Sequence, residues 1–201
     1  MTTGRARLLL AAAAVCAALA GYWMARQLDR ASPRLASGTW LPQAKPVGDF
    51  SLTDTSGRAF TRRDLGGAPT LVFFGFTHCP DICPQTLFEI SQVLHTLGPD
   101  ADRTGAVFIT VDPERDTPAV IKDYLSNFDP HLHGLTGDQA SINAALRAYR
   151  VYAKKVPIEG GDYTMDHTAV VYLMDKDGHF VAPFNVSRTP EQEAADLRRY
   201  F

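Results

Sequence analysis

Two cysteines stand at the end of a continuous apolar run, in the segment Phe74–Pro84 that reads FGFTHCPDICP. Cys79 and Cys83 are four positions apart, so in a helix their sulfurs would lie on one face, one turn apart. The unpaired N–H groups of a helix N-terminus would then favour thiolate over thiol. A reactive pair of this kind is typical of a redox dithiol or a soft-metal site, whereas two buried apolar cysteines or a structural disulfide would carry no chemistry.

The spacing and a later histidine favour a metal site over a thioredoxin-type dithiol. Thioredoxin-type oxidoreductases use C-x-x-C, and C-x-x-x-C contains one residue more. Those enzymes also have a cis-proline before the strand that faces the dithiol, whereas the corresponding segment Met165–Thr168 contains no proline and supplies His167. Two thiolates and one imidazole form a soft set of three ligands that suits copper, and zinc would want a fourth ligand.

Two acidic residues and a glycine pair accompany these candidate ligands. Asp81 would either cap the helix or carry negative charge near a bound cation. Asp166 would hold or tune the imidazole of His167, although a solvated loop carboxylate fits that position equally well. Gly160 and Gly161 predict a mobile loop that carries His167 toward or away from the sulfurs.

The elements that position these residues follow a strand–helix–strand order. Thr70–Phe76 and Ala106–Val111 are continuous apolar runs, which predict strands buried on both faces. Pro84–Leu97 between them has apolar residues at helical spacing. A helix that joins two buried strands predicts a parallel pair with a right-handed crossover.

Turn and capping residues predict the remaining elements. A hairpin is expected from Asp49–Thr53 and Ala59–Phe60, a second from Ala169–Met174 and His179–Phe184, and helices after the caps Thr117, Asp138 and Thr189. The sum predicts an α/β, thioredoxin-like sandwich with an N-terminal β-hairpin.

Composition excludes several classes of protein. The chain has 201 residues, of which 45% are hydrophobic, and this is too apolar for a disordered protein. Its net charge of −2 gives no electrostatic reason to bind nucleic acid. Three cysteines are too few for a disulfide scaffold or a zinc site built from four thiolates.

The N-terminal part differs in charge from the rest. Residues 1–45 carry six basic residues and one acidic residue, a net charge of +5, and the remaining residues have a net charge of −7. Leu8–Ala25 is uncharged over 18 residues, long enough to span a bilayer core, and arginines precede it. We therefore expect residues 1–26 to form a single transmembrane anchor, 27–45 a tether, and 46–201 the exported domain. A signal peptide cleaved after Ala20 is the alternative.

Four segments together resemble the SCO/SenC family of copper chaperones, and they extend across most of the expected domain. They are GDFSLTDTSGRAFTRRDL (48–65), FGFTHCPDICP (74–84), FITVDPERDTP (108–118) and DYTMDHTAVVYLMDKDG (162–178). The resemblance implies a thioredoxin-like fold that binds one copper ion, Cu(I) or Cu(II), through Cys79, Cys83 and His167.

The same resemblance implies a role and partners. Family members deliver copper to the binuclear CuA site of cytochrome c oxidase subunit II, or maintain the cysteines of that site. Expected partners are therefore subunit II or another copper acceptor, and a copper donor or thiol reductase. The expected location is the bacterial inner membrane, with a single span and the domain facing the periplasm. A thiol–disulfide oxidoreductase that cycles a Cys79–Cys83 disulfide remains the alternative, while a thiol peroxidase is disfavoured because the motif contains no Arg.

Overall fold

A computed structural model describes residues 45–201, so the expected anchor and nearly all of the tether lie outside the described residues. Within 45–201, no helix is both long and apolar enough to cross a bilayer. The strands are β1 Lys45–Pro46, β2 Ser51–Asp54, β3 Ala59–Thr61, β4 Thr70–Gly75, β5 Gly105–Thr110, β6 Leu132–Thr136, β7 Ala153–Pro157, β8 Tyr163–His167, β9 Val171–Met174 and β10 His179–Phe184.

Four α-helices accompany these strands within the described residues. They are α1 Ile82–Leu97, α2 Pro118–Leu125, α3 Gln139–Tyr149 and α4 Pro190–Leu197. Thr117, Asp138 and Thr189 each accept a hydrogen bond from a backbone N–H of the following helix, so the three predicted caps are confirmed. Each cap satisfies a donor that the first turn of a helix leaves unpaired.

Eight of the strands form one mixed sheet, in the order β1-β10-β9-β4-β5-β6-β2-β3. β4, β5 and β6 are parallel to one another, and β9 runs antiparallel to β4. All six residues of β4 are buried, as expected for a central strand that is covered on both faces. The predicted α/β, thioredoxin-like arrangement and its N-terminal β2–β3 hairpin are confirmed.

The structure adds two features that the sequence patterns did not predict. The first is the strand β6, which contains Gly134. A Cβ at Gly134 would lie only 2.2 Å from Cγ2 of Ile121 on α2, so the close approach of that helix requires glycine there. Residues 153–167 form a separate two-stranded sheet, the β7–β8 hairpin, instead of a loop. Gly160 and Gly161, with φ of +87° and +83°, form its turn, and His167 is the last residue of β8.

Candidate metal centre

The two cysteines lie where the central strand of the sheet ends and a helix begins. Cys79 is in the turn after β4, and its N–H donates to the carbonyl of Phe76 at 3.3 Å. Cys83 is in the first turn of α1 and its side chain is fully buried. The pair therefore occupies the carboxyl end of a central parallel strand, where α/β sheets form their sites.

The sulfur of Cys79 takes the place of a helix cap. It accepts a hydrogen bond from the backbone N–H of Cys83 at 3.4 Å. Asp81 is the N-cap residue by position, but its exposed side chain makes no capping hydrogen bond, so capping by Asp81 is wrong. The Cys79 sulfur thus satisfies one of the backbone N–H groups that the first turn of a helix leaves unpaired. The other role predicted for Asp81, negative charge near a bound cation, stays a prediction.

A glycine makes room for the second sulfur. At Gly75, the last residue of β4, a Cβ would lie 3.0 Å from Sγ of Cys83 and 2.9 Å from the ring of Phe108. Both distances are at or below the limit of real carbon contacts, so a side chain there would push the sulfur away from the strand. Sequence reasoning assigned Gly75 no role, although a glycine inside the apolar run Thr70–Phe76 is typical of a site of close approach.

His167 reaches the buried sulfur from the β7–β8 hairpin. Its Nε2 lies 3.6 Å from Sγ of Cys83, and its Nδ1 lies 3.1 Å from the carbonyl oxygen of Thr168. A carbonyl only accepts, so Nδ1 carries the proton and the lone pair of Nε2 faces the sulfur. The ring also stands edge-on to Phe76, with 5.7 Å between centroids. The imidazole is thus held in the orientation that a metal ligand needs.

Asp166 does not orient this imidazole. It is exposed, and neighbouring residues of a strand point to opposite faces, so its side chain and that of His167 diverge. The carbonyl of Thr168 holds the ring instead, and the predicted hydrogen-bonding role of Asp166 is wrong. Its negative charge favours the protonated form of His167, so an electrostatic influence stays a prediction.

Burial sets the protonation states of Cys83 and His167. It raises the pKa of the Cys83 thiol well above its usual range, and it lowers the pKa of His167. At neutral pH the thiol is therefore protonated and the imidazole is neutral. A metal cation that binds here has to displace the Cys83 proton but meets a histidine that is ready to coordinate.

The three candidate ligands are not drawn tightly together. Within residues 45–201, one group of three His, Cys, Asp or Glu side chains has all its ligand atoms within 4.8 Å of one another, and it is Asp175, Asp177 and His179. That group lies in the β9–β10 turn, where Asp175 Oδ1 accepts the N–H groups of Asp177 and His179. The Cys79, Cys83 and His167 set is wider, so at least one of its ligand atoms has to move closer to the others to enclose one ion.

A buried carboxylate fixes the turn that leads to Cys79. Asp116 accepts hydrogen bonds from the N–H and Oγ1 of Thr77, at 3.1 and 2.6 Å, and from Oγ1 of Thr110 at 2.6 Å. His78 is exposed, and its Nδ1 lies 3.1 Å from Oγ1 of Thr77. Asp116 is the last acidic residue of FITVDPERDTP, one of the four family-like segments, and no local pattern predicts that it holds the cysteine turn.

Comparison with known proteins gives consistent matches. A family model described as SCO1/SenC matches residues 40–201. The chain is 41% identical over 197 residues to the mitochondrial SCO2 homolog of Bos taurus, covering 96% of this chain and 74% of the relative. The structure of Bradyrhizobium japonicum ScoI with copper bound has a TM-score of 0.76 and 64% identity, over 78% of this chain and 99% of that one.

A more distant solved structure is informative about thiol chemistry. BsSco, described as a member of the Sco family of cytochrome c oxidase assembly proteins in which a disulfide switch was identified, has a TM-score of 0.62 and 26% identity. The match covers 79% of this chain and 95% of that chain. The likeness therefore extends over nearly all of the solved BsSco chain.

Proposed function

Because the chain belongs to the SCO1/SenC family, we propose that it binds one copper ion and serves in the assembly of cytochrome c oxidase. Two relatives support this role. One is ScoI of Bradyrhizobium japonicum, which was solved with copper bound, and the other is BsSco, from a family of oxidase assembly proteins. The observation that carries the proposal in this chain is the 3.6 Å approach of His167 Nε2 to the Cys83 sulfur beside a second thiol.

The proposed copper ligands are Cys79, Cys83 and His167. Two soft thiolates and an imidazole suit copper in either oxidation state. Cys83 and His167 are the inner ligands, since one is buried and the other has its free nitrogen turned inward. Cys79 is the outer ligand, because it is only partly buried.

This difference in exposure suggests how copper would be delivered. An acceptor thiolate can reach the metal most easily from the side of Cys79, so that bond is exchanged first. The inner bonds to Cys83 and His167 follow, and the proton returns to the Cys83 sulfur as copper leaves. The acceptor we propose is the CuA site of cytochrome c oxidase subunit II, with a separate copper donor upstream. The net charge of −7 after residue 45 would help steer the docking of these partners.

A copper titration of the full chain in mild detergent tests this function. With thiols reduced, we expect one copper per chain by metal analysis, and with Cys79 and Cys83 oxidised to a disulfide we expect none. Cys16→Ser is the matched control, because it removes the one cysteine outside the proposed site and should leave the stoichiometry unchanged. Failure to bind copper in the reduced state would overturn the proposal.

A second candidate function is a thiol–disulfide oxidoreductase that reduces the cysteines of the acceptor. The contact between the Cys83 backbone N–H and the Cys79 sulfur, at 3.4 Å, and the disulfide switch of BsSco favour it. The Cys79 thiolate would attack the acceptor disulfide and release one acceptor thiol. Cys83, after losing its proton, would then attack the Cys79 sulfur of the mixed disulfide and release the second acceptor thiol, which leaves a Cys79–Cys83 disulfide. A thiol reductase would have to return two electrons for each turnover. The raised pKa of Cys83 slows its part in this sequence.

His167→Ala separates the two functions. A reductase needs the two cysteines and no imidazole, so its activity toward a CuA-type peptide disulfide should survive this substitution. A copper carrier should lose affinity instead. Reductase activity that survives, together with copper affinity equal to that of the unaltered chain, would favour the second function.

We also propose that residues 1–26 anchor the protein in the bacterial inner membrane, that 27–45 form a tether, and that 46–201 face the periplasm. The uncharged run after two arginines supports this orientation. An alkaline phosphatase fused after Phe201 should be active, and the protein should resist extraction from membranes by alkaline carbonate. A mature N-terminus at residue 21 would contradict the anchor and support cleavage after Ala20.

A further inference from the structure

The hairpin that carries His167 is not part of the main sheet. β7 and β8 pair only with each other, and four of the five residues of β7 are exposed. A cleft of about 450 Å³ lies between the hairpin and the cysteine turn, and its lining includes His78, Pro80 and Ile158. Since no backbone ladder joins the hairpin to the main sheet, side-chain contacts set its position.

The densest of these contacts centre on Arg115, in the loop after β5. Its Nε donates to Asp112 Oδ2 at 2.5 Å, and its Nη1 donates to the carbonyl of Tyr163 at 3.0 Å and to Asp162 Oδ1 at 3.3 Å. Asp112 is almost completely buried, with 1% of its surface exposed. One guanidinium therefore joins a buried carboxylate of the main domain to the first residue of β8.

Contacts of the Tyr163 side chain with Arg115 and Asp112 complete this group of interactions. The guanidinium carbon of Arg115 lies 3.8 Å from the ring centroid of Tyr163, and the hydroxyl of Tyr163 donates to Asp112 Oδ1 at 2.9 Å. The three residues thus form a closed set in which each contacts the other two. Arg115 also lies 6.0 Å from the ring centroid of Phe76, and Phe76 contacts His167 edge-on.

We propose that Arg115 is a positioning residue for the metal centre. By clamping Tyr163 to Asp112, it sets the start of β8 and so places His167, four residues along the same strand, opposite Cys83. The proposal rests on the proposed copper site for its consequence, retention of the metal, but the clamp itself is a property of the metal-free protein. Sequence reasoning assigned Arg115 no role.

Arginine suits this position better than lysine. Its planar fork donates in several fixed directions while one face stacks on an aromatic ring, whereas the ammonium of lysine is a compact charge that cannot reproduce both contacts. Lys155 pairs with Glu114 and lies 4.4 Å from the ring centroid of Tyr163, so a second cation covers the same tyrosine. The first residue of β8 is therefore held by Arg115 and Asp112 and covered by a second cation.

Hydrogen–deuterium exchange of the full metal-free chain tests the clamp directly. In Arg115→Lys, we expect the amides of Tyr163–His167 to exchange about tenfold faster or more, as for the loss of charge-assisted hydrogen bonds, with β4 unchanged. Tyr163→Phe loses one hydrogen bond but keeps the stacked ring, so it should shift the same amides less. Tyr163→Phe also provides a second test of the clamp if Arg115→Lys fails to fold. Arg198→Lys is the matched control, because Arg198 binds Asp100 and two backbone carbonyls away from the site.

Copper release supplies the second readout. In Arg115→Lys, the copper should pass to a competing chelator about tenfold faster, and the nitrogen coupling in the EPR spectrum of the Cu(II) form should change. Unchanged exchange in β8 would overturn the proposal, as would a uniform increase that includes β4. If the unaltered chain binds no copper, the proposed function fails, while the exchange experiment still decides the clamp.

Discussion

The cysteine turn and the β7–β8 hairpin contribute to one candidate metal centre but are anchored in different ways. Cys83 is fully buried beside β4, a strand whose six residues are all buried. His167 ends a hairpin in which β7 is mostly exposed and which pairs with no strand of the main sheet. Apolar packing fixes the Cys83 sulfur, whereas the carbonyl of Thr168 and the edge contact with Phe76 fix the imidazole.

This difference would matter for the proposed function, in which the protein both holds and releases a metal. Displacing the Cys83 sulfur means disturbing a close-packed core, which is costly. Displacing the hairpin that carries the imidazole means breaking a few hydrogen bonds, each of which contributes about 0.5–3 kcal/mol. We therefore expect the cysteines to determine whether copper binds and the histidine to determine how long it stays.

The largest expected effect comes from the buried sulfur. Cys83→Ser removes the inner thiolate and should abolish stoichiometric copper binding by the reduced protein, measured by metal analysis after gel filtration. The buried hydroxyl should also lower the free energy of unfolding by about 1–3 kcal/mol. Retention of one copper per chain would contradict the ligand assignment, and Cys16→Ser should behave like the unaltered chain.

His167→Ala should have the next largest effect. Removal of a group that hydrogen-bonds to a metal ligand costs roughly 10–100-fold in metal affinity. Removal of the ligand itself should therefore weaken Cu(II) binding by at least that factor. Cu(I) should be affected less, because two soft thiolates remain. His95→Ala, at an exposed position of α1, is the matched control. An unchanged Cu(II) spectrum and affinity would remove the hairpin from the site.

Gly75→Ala tests the packing around the Cys83 sulfur. The new Cβ would stand 3.0 Å from the Cys83 sulfur, so we expect an overpacking cost of about 1–3 kcal/mol and roughly tenfold weaker copper binding. Gly105→Ala is the matched control at the opposite end of the parallel pair, where a Cβ would meet Thr70 at 2.3 Å. It should destabilise the fold without weakening copper binding. Equal losses of affinity in the two variants would show that Gly75 has no special role.

The smallest expected effect is on pH dependence. Burial raises the pKa of the Cys83 thiol, so copper has to displace its proton, and affinity should rise with pH by at most about tenfold per unit near neutrality. Burial lowers the pKa of His167, so its proton competes only at more acidic pH. Calorimetry in buffers of different ionisation enthalpy should therefore detect proton release. An affinity independent of pH would show that Cys83 is already a thiolate.

The same contrast explains what the sequence could predict. β4 and the three helix caps follow local rules, apolar runs and capping residues, and they were predicted nearly to the residue. The β7–β8 hairpin was missed because it buries little and so has no apolar pattern. The link from Arg115 to Tyr163 joins residues 48 positions apart, and no local signal reports such a contact. The closeness of Cys83 and His167 was predictable only from topology and from the family resemblance.

X-ray absorption of the reduced, Cu(I)-loaded full chain tests the central claim most directly, that one copper ion binds two sulfurs from the cysteine turn and one imidazole from the hairpin. The unaltered protein should show two sulfur neighbours and one imidazole nitrogen. His167→Ala should lose the imidazole contribution and keep both sulfurs. An imidazole contribution that persists in His167→Ala, or a site with fewer than two sulfurs, would contradict the account.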